Sequence, residues 1–135
     1  TADSLEIEIV EDFIMQDETK ALSELYALAE LGVSLAIDDF GTGHTSLSYL
    51  KKLPVNRLKL DRSFIKDVLD DRDDQAIARS IISLGRHMSM EVVAEGVELP
   101  AQRQLLSSYG CQIIQGYASG APVCAEEFCR LHLQK

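Results

Sequence analysis

The chain has no tryptophan, three prolines, three cysteines and 6% aromatic residues over 135 positions. Cys111, Cys124 and Cys129 are odd in number and lack C-x-x-C spacing, which argues against a disulfide framework or a structural zinc site and suits a reducing, cytoplasmic setting. No apolar run approaches the ~20 residues of a membrane-spanning helix. The opening TADSLEIEIVED is acidic where a signal peptide would be basic and then apolar, so direct membrane insertion of this segment is not expected. Basic residues are also scarce. Thirteen Lys and Arg against 22 Asp and Glu leave a formal charge of −9 and no broad cationic face for a nucleic-acid backbone, so DNA and RNA are not expected partners. A nucleotide substrate stays open, because carboxylates gathered around divalent cations can present a phosphate with a locally positive surface.

What the chain does have is 46% hydrophobic residues, enough for one compact domain, patterned as alternating strands and helices. Leu5, Ile7 and Ile9 alternate with Glu6 and Glu8, a strand period, and the strand is expected to end near Glu8. Ala21, Leu22, Leu25, Leu28, Ala29 and Leu31 recur at helical spacing, with Gly32 where a C-terminal cap is wanted. Val33 to Ile37 reads as a buried parallel strand with Asp38 and Asp39 at its end, and a short helix around Leu47 to Leu53 stops at Pro54. Arg57 to Leu60 is a third strand, followed by an acidic connection from Asp67 to Asp74. A helix from Gln75 to His87 comes next, with Ile77, Ile81, Ile82 and Leu84 as its inner face. Strands at Glu91 to Ala94 and Gln112 to Gln115, and helices at Pro100 to Tyr109 and Ala125 to Leu133, complete the pattern. Five strands alternating with helices predict an α/β fold with a parallel sheet and right-handed crossovers.

In such folds the C-terminal strand ends converge on one rim, where sites are built. Glu8, Asp38, Asp39, Lys59, Glu95 and Gln115 all fall there, with Asp61 outside this set. Taken singly, each has an ordinary reading. Glu6 and Glu8 suit a solvated edge strand, Asp38 and Asp39 a cap or loop, Lys59 an ion pair, Glu95 and Glu98 a solvated loop, and Gln115 a satisfied buried amide. Their shared placement favours one site. Hard cations such as magnesium and manganese prefer carboxylate oxygens, and two of them can clamp both oxygens of a phosphoryl transfer. Neighbouring side chains on a regular strand face opposite ways, so Asp38 and Asp39 can both turn inward only if the chain bends at Asp39. Gly41-Thr42-Gly43 lacks the third glycine of a dinucleotide-binding loop and follows two acids that would repel a pyrophosphate. His44, His87 and His132 have no metal-ligand spacing.

LEIEIVED, AIDDFGTGHTSLSYLKKLPVNRLKLDRSFI, VVAEGVE and IIQGYASGAP, in that order, resemble the C-terminal part of an EAL domain, the bacterial cyclic di-GMP phosphodiesterase family. The resemblance implies a TIM-type (β/α) barrel that hydrolyses cyclic di-GMP to linear pGpG with Mg2+ or Mn2+ at a two-metal site. By motif, Glu8, Asp38, Asp39 and Glu95 would be metal ligands. Lys59 would hold or polarise the attacking water, Glu95 would also assist proton removal, and Gln115 would contact water or phosphate. Glu11 would anchor the DDFGTG loop and Glu98 would support the metal site from behind.

The chain departs from the family pattern in lacking the Glu-Ala-Leu segment and the metal-binding Asn that follows it. It also has Ala118-Ser119-Gly120-Ala121 where an aromatic and a basic residue are usual, and His44 at a usually aromatic position. Residues 1–135 are therefore expected to be the C-terminal half of an EAL domain. The chain alone is expected to be inactive, within a parent that hydrolyses cyclic di-GMP. The alternative is a non-hydrolysing cyclic di-GMP sensor or protein-interaction module. Half a barrel leaves strand edges and apolar surface open, so a homodimer is expected, by strand pairing or exchange.

Overall fold

The strands are short, with Ile, Leu, Val and Ala between charged or polar residues, and their apolar side chains are buried by lying beside the next strand with a helix returning over it. The computed structural model, which describes residues 1–133, shows five such strands in one parallel sheet whose spatial order follows the chain. They are β1 (Glu6–Val10), β2 (Ser34–Phe40), β3 (Arg57–Leu60), β4 (Glu91–Glu95) and β5 (Ile113–Gln115). The connections carry α1 (Glu11–Gln16), α2 (Glu18–Glu30), α3 (Leu47–Leu50), α4 (Ser63–Lys66), α5 (Arg72–His87) and α6 (Pro100–Ser108). After β5 come α7 (Ala125–Phe128) and a wider π-type turn over Cys129–Leu133.

Leu35, Ile37, Leu58 and Leu60 are fully buried at the middle of the sheet, and Ile65, Val68 and Leu106 close over them from α4, the segment after it and α6. At the opposite end from the acids, Arg57 reaches Glu6 of β1 at 2.7 Å and Glu91 of β4 at 2.6 Å, so one guanidinium ties three strands together. Gly32 closes α2 as expected, with φ +86° and its N–H donated to the Ala29 carbonyl at 2.9 Å.

Several boundaries differ from the sequence reading. β1 continues to Val10, so Glu8 lies within the strand and does not close it. α1 and α4 are single short helices with too few turns to show a period. α5 begins at Arg72, because Asp71 caps it by accepting from the N–H groups of Asp73 at 2.7 Å and Asp74 at 3.1 Å. Its buried face is Ala78, Ile81, Ile82 and Gly85, and Ile77 is exposed. The outer edges of β1 and β5 pair with no strand among the described residues.

Candidate functional site

β2 loses its regular register at the two aspartates. Ile37 lies opposite Leu58 and Phe40 opposite Leu60, so Asp38 and Asp39 together face the single residue Lys59. The extra residue is taken up by Asp39, whose φ of +53° is left-handed, a conformation Asp tolerates better than most side chains. Asp38 Oδ1 accepts the Asp39 N–H at 3.0 Å, and the Asp39 carbonyl accepts the Thr42 hydroxyl at 2.7 Å. This is the bend the sequence requires for both acids to share a side, and it lies inside the strand rather than after it.

Glu11, at the start of α1 and buried, holds the loop that follows. Its Oε2 accepts the N–H groups of Gly41 at 3.2 Å and Gly43 at 3.0 Å, and its Oε1 accepts that of Thr45 at 2.8 Å. A Cβ at Gly43 would lie 2.7 Å from the Glu11 carboxyl carbon, so only glycine lets the loop come this close.

Lys59 projects into the middle of the cluster with only 5% of its side chain exposed. Its Nζ lies 2.7 Å from Glu8 Oε1, 2.8 Å from Glu95 Oε1 and 3.5 Å from Asp38 Oδ1. Burial alone would lower its pKa, but the hydrogen bonds to Glu8 and Glu95 and the charge of Asp38 outweigh burial and hold it above the ordinary lysine value. The ammonium therefore stays protonated through the neutral range and acts as a donor. Glu95 is pushed up by its burial, which Lys59 opposes and Asp38 reinforces.

Asp39 is also raised, by burial, then by repulsion from Asp38 and a hydrogen bond with Asp61. Burial would raise Asp61 too, but hydrogen bonds from Ser63 and Asp39 hold it below the ordinary carboxylate value. In this pair Asp39 carries the proton more readily and Asp61 stays ionised. Asp61 is the site residue the sequence reading set aside. Asp61 directly follows the last residue of β3, so strand alternation does not settle its direction.

Asp38, Asp39 and Glu95 each offer an oxygen, and these oxygens lie within 4.8 Å of one another; among the described residues this is the single such group. Three hard carboxylate donors around unbalanced negative charge suit a hard divalent cation. Glu8 is engaged with Lys59 and stands outside that trio. Gln115 is beside Glu95 in the β4–β5 register but is exposed, contrary to the buried amide considered for it, and lines a neighbouring cleft together with Glu98.

A parallel β/α sheet with carboxylates gathered at its C-terminal rim is the arrangement of a barrel-type α/β protein. The chain belongs to the EAL domain family, whose model matches residues 1–122. It is 46% identical over 121 residues to the bifunctional diguanylate cyclase/cyclic di-GMP phosphodiesterase MucR of Pseudomonas aeruginosa, covering 90% of this chain and 18% of that protein. The solved MucR phosphodiesterase in complex with c-di-GMP superposes with a TM-score of 0.91 at 44% identity, over 94% of this chain and 51% of the other. Klebsiella pneumoniae BlrP1 in a manganese/c-di-GMP complex matches with a TM-score of 0.80 at 33% identity, over 86% of this chain and 30% of the other, and a calcium/c-di-GMP complex matches similarly. The five strands and their helices are thus a portion of the EAL barrel-type fold, and the chain spans about half of the solved MucR chain.

Two outcomes follow from the geometry. Glu11→Ala removes the acceptor of three loop N–H groups and is expected to cost about 3 kcal/mol, with faster hydrogen exchange confined to Gly41, Gly43 and Thr45. Unchanged exchange at those amides would contradict the anchoring.

Lys59→Met leaves three carboxylates without their cation and is expected to cost on the order of 3 kcal/mol at neutral pH. Because the folded pKa of Glu95 is raised, the folded state gains protons as pH falls, so the deficit shrinks on acidification through that value. In the unsubstituted chain the contribution of Lys59 is complete below the ordinary lysine value of 10.5 and fades as pH rises through the higher folded one. Urea midpoints across pH read both.

Proposed function

We propose that this chain forms the C-terminal half of an EAL domain whose parent protein hydrolyses one phosphodiester bond of cyclic di-GMP to give linear pGpG. The observation that carries this reading is the Asp38, Asp39 and Glu95 oxygen cluster beside the buried Lys59 ammonium, at the rim of an EAL fold. Asp38, Asp39 and Glu95 would hold Mg2+ or Mn2+, with Glu8 joining once it is released from Lys59. Divalent cations bound there would offset the phosphate charge and acidify water.

The chain's own groups then do the rest. Lys59, a fixed donor, orients the attacking water and balances the charge that develops on the phosphoryl oxygens. Glu95, a carboxylate with raised pKa, accepts the water proton, which matches general-base work near neutrality better than an ordinary carboxylate would. Water oxygen bonds to phosphorus, the bond to the 3′ oxygen breaks, and that oxygen takes a proton to become a hydroxyl. Asp61 keeps Asp39 in place through their hydrogen bond. Gln115 reaches the phosphate or water from β5, and Glu11 keeps the loop closed.

Incubating the parent protein with cyclic di-GMP and Mg2+ is expected to yield pGpG on chromatography. Chelation removes the activity, Asp39→Asn abolishes it, and the 135-residue chain alone turns over little. Tight binding without pGpG would reject hydrolysis and leave a sensing module; no binding would reject both.

A cytoplasmic homodimer is part of this reading. It is supported by exposed apolar residues, Val10 on β1, Leu47 on α3 and Tyr117 after β5. Light scattering is expected to give twice the chain mass, and a monomer at high concentration would overturn it.

A further inference from the structure

At the end of the sheet away from the acid centre, a separate cleft of about 270 Å³ opens beside the first residues of β4 and β5. Its apolar lining comes from Ile82 on α5, Val92 on β4 and Ile113 on β5, and its polar groups are Arg86, Glu91 and Gln112. The walls are held by neighbouring contacts. The buried Cys111 thiol lies 3.4 Å from the Val92 carbonyl and 3.3 Å from the Ile113 carbonyl, which ties the two strands at the back of the cleft. Gly110 has φ +98°, and a Cβ there would collide with Nη2 of Arg86, so the guanidinium comes down over a position that only glycine can fill. That Nη2 donates to the Tyr109 carbonyl at 3.4 Å, a long bond that places the arginine without using its other donors.

Arg86 and Glu91 bring opposite charges to this one cleft, yet they form no ion pair with each other among the described residues. Glu91 gives Arg57 only its Oε2, at 2.6 Å and 3.2 Å, and its Oε1 has no hydrogen-bond partner among the described residues. A guanidinium fork, a free carboxylate oxygen and the Gln112 amide are thus left around an apolar floor, the composition of a small-molecule site. Two unlike charges held apart across a cleft suit a molecule that carries both signs. A carboxylate matches the arginine fork, an ammonium donates to Glu91 Oε1, and a short apolar side chain covers Ile82, Val92 and Ile113. Inorganic phosphate would satisfy Arg86 but meet Glu91 with like charge and leave the floor wet. A fatty carboxylate would lay methylene groups against the free oxygen of Glu91 and leave it without a donor. The volume falls just under the roughly 300–1,000 Å³ of drug-sized sites, which suits one small molecule better than a dinucleotide.

We propose that this cleft binds a free apolar α-amino acid, with its carboxylate on Arg86, its ammonium on Glu91 and its side chain on the floor formed by Ile82, Val92 and Ile113. The inference goes beyond the phosphodiesterase reading and does not depend on it. Glu91 and Glu95 are the two ends of β4, roughly 13 Å apart at strand rise, so a molecule seated here does not compete with one at the acid centre. Methyl NMR of the full chain tests it, by titration with L-leucine, with 4-methylpentanoate, which lacks the ammonium, and with 3-methylbutylamine, which lacks the carboxylate. L-leucine is expected to give saturable shifts at the methyls of Ile82, Val92 and Ile113, and each analogue to bind about tenfold or more weakly. Arg86→Gln should lower L-leucine to the level of the amine while leaving the amine unchanged. Glu91→Gln should lower L-leucine to the level of the carboxylate. Because Glu91 also holds Arg57, the Arg86 variant decides alone if the Glu91 variant does not fold.

The site is overturned if L-leucine shifts none of those methyls up to its solubility limit, if either analogue binds as tightly as L-leucine, or if Arg86→Gln leaves the L-leucine affinity unchanged. Each of these results leaves the phosphodiesterase reading untouched, since that reading is decided by pGpG formation in the parent protein.

Discussion

A single buried ammonium organises the rim. Lys59 comes from β3, the central strand, and its three carboxylate neighbours come from β1, β2 and β4, so one side chain links the working ends of four strands. Without it, Glu8, Asp38 and Glu95 would repel one another across a partly dry space, and the sheet would have to splay or the acids would have to take up protons. The same residue fixes which chemistry is open. An amine held protonated at neutral pH can donate and can neutralise but cannot take up a proton, and beside it stands the Glu95 carboxylate, whose pKa burial raises.

Two further constraints act on the same few ångströms. The bulge at Asp38 and Asp39 turns an alternating strand into one that presents two acids together, and the Glu11 carboxylate, buried at the start of α1, fixes the loop that leaves the bulge. The acids are therefore placed by backbone irregularity and by a buried acceptor thirty residues earlier in the chain, rather than by the regular periodicity that builds the rest of the sheet. Arg57 performs the complementary task at the far end of β3, where Glu6 and Glu91 meet it. Each end of the central strand thus carries a cation that gathers acids from its neighbours.

Much of this could be read from the sequence, for identifiable reasons. Short apolar runs such as Leu35, Ala36 and Ile37 announce parallel strands, and acids after them announce a rim. The need for a bend at Asp39 followed from strand alternation alone and is met by its left-handed backbone. Other features left no periodic trace. α1 and α4 are too short to show one, and the face of α5 turns on small residues, Ala78 and Gly85, that a search for large hydrophobes passes over in favour of Ile77. Asp61 was passed over because its importance is relational. It matters through its hydrogen bond to Asp39, and nothing at its own position reveals that partner. Gln115 closes the fifth strand and Glu98 falls in the loop after the fourth, as the sequence indicates, but their exposure and shared cleft depend on how two backbones lace together.

The left-handed backbone at Asp39 sets shape and charge against each other at one position. Glycine or asparagine would occupy that conformation with less strain than aspartate, yet neither carries the carboxylate. Under the phosphodiesterase function proposed above, a lineage relieved of selection for it would meet no folding obstacle to such a replacement and would even be rewarded with stability. Loss of the acid is then a downhill step in evolution, and descendants that keep the architecture but not the chemistry should arise readily from this position.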